Sequence, residues 1–117
     1  MGLHTWFYKE KELYLKQQEL YSTLDKFEDY EIYLDDLEVD QINHEIDEIS
    51  KINDSDHHDI FRTNKREANG EYTYDVIFSK QECEKWLIDN NIVIEPSNKR
   101  ALDNFWEEFP NGVIDFG

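Results

Sequence analysis

Apolar residues return at helical spacing over residues 9–27, where Leu13, Leu20, Leu24 and Phe27 form one stripe with Tyr14 and Tyr21 beside it, and this predicts a first helix. The aromatic stretch 3–8 before it reads as a short strand or as the lead into that helix. Tyr30, Ile32 and Leu34 then alternate with polar residues, which predicts an extended piece. Val39, Ile42, Ile46 and Ile49 restore the helical spacing and predict a second helix over 39–52.

The polar run NDSDHHD breaks the pattern and reads as a loop. After it, residues 60–78 carry Asn69-Gly70 near their middle, a dipeptide suited to a type I′ hairpin turn because both positions need positive φ. Pairing Ala68 with Glu71 sets Phe61, Thr63, Lys65 and Glu67 opposite Phe78, Val76, Tyr74 and Tyr72, an aromatic face expected to cover the core. Ser79 and Glu82 have the spacing of a capping box, with Phe78 and Cys83 as its staple. A helix therefore starts at Lys80, buries Cys83, Trp86 and Leu87, and ends at Asn90-Asn91.

Residues 92–94 read as a short buried strand. Pro96 opens a last helix with Leu102, Phe105, Trp106 and Phe109 on one face, and Pro110-Asn111-Gly112 turns the chain into a terminal strand, 113–116. The sum is an α+β fold in one domain, 1–117: a small antiparallel or mixed sheet, including the 60–78 hairpin, packed with about four helices.

Composition narrows the classes. The 117 residues include 18 Trp, Tyr, Phe and Met, enough bulk for a real core without staples. One cysteine, Cys83, excludes an internal disulfide and suits a reducing compartment, so a cytoplasmic location is expected. The start, MGLHTWFYKEKE, has no secretory pattern, Trp6 stands where an acylation motif wants Ser or Thr, and no window has the roughly 20 apolar residues of a membrane span.

Charge changes the picture most. The formal net charge is −16, and residues 25–59 hold 14 acids against Lys26 and Lys51, a net of −12. Such a balance repels nucleic acid and membranes and attracts basic partners. The regularly spaced isoleucines mark this run as a folded surface, since disordered acidic tails lack them. A helix over 39–52 spans about 21 Å, a length over which duplex DNA carries about 12 charges. Imitation of nucleic acid is feasible on that scale, and a solvated acidic face is the simpler reading. Candidate partner-binding residues are Asp35, Asp36, Glu38, Asp40, Glu45, Asp47 and Glu48, with Tyr30 and Tyr33 as aromatic anchors. Trp6, Phe7, Tyr8, Tyr30 and Tyr33 are too many for one small core, so some are expected at the surface.

Other chemistry is thinner. His44, His57, His58 and Asp56 have metal-ligand residue types, but adjacent histidines in a loop rarely aim at one ion, and His44-Glu45 lacks the second histidine of an H-E-x-x-H helix. Cys83 faces inward on its helix and reads as packing. Arg62, Lys65 and Arg66 are the densest basic cluster and are expected to neutralise acids rather than grip phosphate. No nucleophile triad, phosphate-cradling loop or cofactor motif is present.

The segments GLHTWFYK, ELYSTLDKFEDYEIYLDDLE and FWEEFPNGVIDFG resemble a group of small proteins encoded by bacteriophages and related mobile elements, with a GLxTWF-type start and a PxGVIDFG-type end. The resemblance covers both ends and much of the hairpin. It implies a phage gene acting inside a bacterial cell and supplies no catalytic residues. The expectation is a non-enzymatic acidic protein, without a cofactor, that binds and inhibits a basic host protein such as a defence nuclease or another nucleic-acid enzyme. It is not expected to bind nucleic acid directly. The alternatives are a small metal-dependent phosphoesterase or ligand-sequestering protein built on His44, His57 and His58, and a phage structural or assembly part.

Overall fold

A computed structural model describes residues 5–55, 75–90, 92 and 94–116. The element order is β1 (Trp6–Tyr8), α1 (Lys11–Glu28), α2 (Asp36–Asn53), β2 (Asp75–Ile77), α3 (Lys80–Asp89), α4 (Pro96–Glu108) and β3 (Val113–Phe116). Among the described residues, four helices and a three-stranded antiparallel sheet make this an α+β protein. Packing divides it into two compact units, one of Met1–Lys11 with Ser55–Gly117 and one of Glu12–Asp54.

The first unit is built on the sheet, whose order is β1-β3-β2 with the C-terminal strand in the middle. Phe7, Ile114 and Ile77 lie in one row across it, and all three belong to the buried core. Helix α3 brings Cys83, Trp86 and Leu87 to that core, and α4 brings Leu102, Phe105 and Trp106. Trp86 stacks on Phe116 at 4.2 Å between ring centroids, and Phe105 meets Phe7 edge-on at 4.9 Å. Such pairs contribute beyond the area they bury, because ring edges and faces carry opposite partial charge.

Local signals set these helices as expected. Ser79 Oγ accepts from the Glu82 N–H at 3.1 Å, and Glu82 Oε2 accepts at 3.1 Å from the N–H of Phe78, the residue before the cap, so both side chains bond backbone at the start of α3. Pro96 is the first residue of α4, where its missing N–H is no loss. Gly112 is required by close approach: a Cβ there would lie 2.7 Å from Phe105 Cζ, 2.9 Å from the Tyr8 carbonyl oxygen and 3.0 Å from that of Phe109.

Three expectations are corrected in the described residues. Ile92 and Ile94 are in no strand; the Ile92 N–H instead donates to the Leu87 carbonyl at 2.9 Å, closing the end of α3. In β2 the core takes Ile77, so the row through Val76 and Phe78 is not the core face; one residue of parity decides which side of a strand is buried. Tyr30, Ile32 and Leu34 form no strand either, since residues 29–35 are the turn between α1 and α2. The rest of the 60–78 hairpin, including Asn69-Gly70, lies outside the described residues, as do Arg62, Lys65 and Arg66.

The second unit is a helical hairpin. Tyr14 and Gln17 are buried on α1, and Ile46, Ile49 and Asn53 on α2. Gln17 spans the two helices: its Nε2 donates to the Ile46 carbonyl at 3.1 Å and to Ser50 Oγ at 2.7 Å. These contacts join the start of α1 to the end of α2 and fix their antiparallel register. A buried amide must find partners or lose its hydration uncompensated, so Gln17 favours this one register over its neighbours.

Two tests follow from the sheet unit. Gly112→Ala forces the new methyl against two carbonyl oxygens and a ring, and should lower stability by about 1–3 kcal/mol in chemical denaturation. Asp115 stands between Trp6 and Val76 in the ladder, half-buried, and burial pushes its carboxyl above the usual aspartate range. The folded protein thus holds that proton more tightly than the unfolded chain. The charge destabilises at neutral pH, and the penalty fades as pH falls through the raised value toward the ordinary one of about 4. Asp115→Asn should raise Tm at neutral pH, with the gain vanishing in acid.

Candidate functional site

The acidic surface is built on α2. Asp35 is its N-cap: Oδ1 accepts from the Glu38 N–H at 2.8 Å, so the helix starts three residues before the apolar spacing suggests. Asp36 and Glu38 lie in the first turn, where negative charge complements the helix dipole. All seven acids named from sequence, Asp35, Asp36, Glu38, Asp40, Glu45, Asp47 and Glu48, are exposed.

They do not form a single line. At about 100° per residue, Glu38 and Glu45 fall on one flank of the buried Ile46–Ile49 stripe and Asp36 toward the other, with Asp40, Asp47 and Glu48 on the side away from it. The acids therefore ring the solvent-facing part of the helix. Three of the seven have a structural task at the N-terminus. Glu48 has another, because Lys51 Nζ lies 3.0 Å from its Oε1 and holds its carboxyl below the usual range, chiefly through that hydrogen bond. Asp40, Glu45 and Asp47 have no ion pair or side-chain hydrogen bond among the described residues.

The turn between the helices carries the aromatics. Tyr30 is 96% exposed and Tyr33 84% exposed, with Leu37 at 66% beyond them. Tyr30 has φ 61°, in the left-handed region. Its N–H donates to the Phe27 carbonyl at 3.1 Å and the Glu31 N–H to the Lys26 carbonyl at 2.8 Å, the paired bonds of a Schellman ending. Glycine or asparagine is usual at that position, and neither occurs here, which is why the alternation at 30–34 passes for a strand in sequence. Phe27, Glu28, Tyr30, Glu31, Ile32 and Tyr33 line an open depression at this tip. Of the other aromatics, Phe7 is core, Tyr8 is partly buried and Trp6 is 47% exposed.

No group of three or more His, Cys, Asp or Glu residues that could hold a metal occurs among the described residues. His44 is exposed on α2 beside Asp40 and Glu45, while Asp56, His57 and His58 lie outside the described residues. Cys83 is buried and its thiol is pushed up to about 11, chiefly by burial, as befits a packing residue. No described helix is long and apolar enough to cross a membrane. Compared with protein-family models, curated proteins and solved structures, the chain matches none.

The left-handed tyrosine yields a test. A side chain with a Cβ costs about 1–2 kcal/mol in that region, part of which glycine gives back through its larger unfolded-state entropy. Because Tyr30 buries almost nothing, Tyr30→Gly should raise stability by about 1 kcal/mol in urea denaturation, and Tyr30→Ala should not.

Proposed function

We propose that this is a phage-encoded acidic binding protein that engages and inhibits a basic, nucleic-acid-handling host protein, such as a defence nuclease, in the bacterial cytoplasm. The observation that carries the reading is the set of exposed carboxylates at Asp40, Glu45 and Asp47, which have no described structural partner, on a helix whose neighbouring turn exposes Tyr30 and Tyr33. Charge that serves no fold is available for a partner, and tyrosines are frequent anchors at the centre of interfaces.

Magnitude shapes the form of the proposal. Over 35–54 there are eight acids and Lys51, a net of −7. Those 20 residues span about 30 Å at the helical rise, along which duplex DNA carries about 18 phosphates. The segment has about two fifths of that density, which supports attraction and steering toward a basic surface more than phosphate-by-phosphate imitation. Charge then accelerates association, and burial of the tyrosines slows release.

The test is capture from bacterial lysate at low and moderate salt, followed by kinetics with the retained protein. A basic nucleic-acid protein released by salt is expected. Asp40→Lys, Glu45→Lys and Asp47→Lys together spare the helix cap and should slow association about tenfold or more with a smaller change in dissociation. Retention of no such protein, or unchanged association by the triple variant, would refute the reading.

A further inference from the structure

We propose that the depression at the tip of the helical hairpin is a receptor for an arginine side chain presented by a basic polypeptide; this rests on the binding function above and names where and how the partner is held. The depression is open to solvent and measures about 710 Å³, ample room for one long side chain. Its lining has the three components that a guanidinium needs. Phe27, Tyr30 and Tyr33 supply aromatic rings, whose negative quadrupole attracts a planar cation. Ile32 offers an apolar surface for the methylene stem.

Glu28 and Glu31 supply carboxylates, and neither has an ion pair or side-chain hydrogen bond among the described residues. Guanidinium is less strongly hydrated than ammonium, stacks on aromatic rings and meets a carboxylate with two parallel hydrogen bonds. Arginine is therefore preferred to lysine here. The surroundings agree in sign: residues 25–38 hold seven acids against Lys26.

The backbone explains how the rings are presented. Both bonds of the Schellman ending hold Tyr30 at φ 61° and direct the chain away from α1, so Tyr30 and Tyr33 stand on a short turn anchored by helices at both ends. A turn fixed in this way loses little backbone entropy on binding.

The experiment is titration of the whole protein with a tetra-arginine peptide at physiological salt, followed by amide chemical shifts, with tetra-lysine and tetra-citrulline peptides alongside. Saturable shifts centred on 27–33 are expected with tetra-arginine. They should be weaker with lysine and absent with citrulline, which keeps the shape without the charge. Tyr33→Ala, and separately Glu28→Gln with Glu31→Gln, should weaken tetra-arginine binding about fivefold or more. The Asp40, Glu45 and Asp47 triple variant should keep the shifts centred on the tip. Shifts spread along α2 without a focus at 27–33, no shifts at all, or unchanged binding by the tip variants would each overturn the receptor. Salt-sensitive capture of a basic protein would still stand in those cases, and its failure would sink the broader function instead.

Discussion

Helix α2 has to bury isoleucines while carrying a run of carboxylates through the same residues, and the helical period is what makes the two demands compatible. Ile46 and Ile49 fall on one arc, and the acids fall on the remaining ones. Burial of each isoleucine side chain stabilises by about 1.5–3 kcal/mol, whereas exposed charges a helical turn apart repel by only a few tenths each. The apolar arc therefore outweighs the repulsion, and Gln17 adds direction by bonding to the backbone and side chain of α2 at one register only. A folded acidic surface is the outcome of that balance.

Much of the fold was legible because it rests on local chemistry. The Ser79–Glu82 box, Pro96 at the start of α4 and the Pro110-Asn111-Gly112 turn each act within a few residues, and each stands where the pattern puts it. What escaped was decided at longer range or by an unusual residue. The buried side of β2 depends on its pairing with β3, which no local pattern reports. Gln17 reads as one more polar residue on α1 until a helix 29 residues away receives its amide.

The candidate site was legible in its parts and not in its arrangement. Tyr30 and Tyr33 were surplus to a small core by count alone, and the structure exposes both. Their place on a helix ending was hidden because the signal for such an ending is glycine or asparagine, and Tyr30 occupies the position instead. Asp35 was legible as charge but missed as a cap, although D-x-x-E before an apolar run carries that meaning. Reading it as a cap separates the acids that make the helix from those left free to meet something else.

The sheet unit is discontinuous in the chain. Its sequence is interrupted after Lys11 and resumes at Ser55, whose N–H returns to the Phe7 carbonyl at 2.9 Å, while the Lys11 N–H reaches the Asn111 carbonyl at 2.8 Å. Both edges of the interruption are thus pinned within the sheet unit itself. The intervening 43 residues form a compact unit with its own cap, register and turn. A unit whose two ends lie close together on another tolerates changes in its own length and charge. A change of length or charge within 12–54 can therefore leave the hydrogen bonds at both edges of the sheet unit in place.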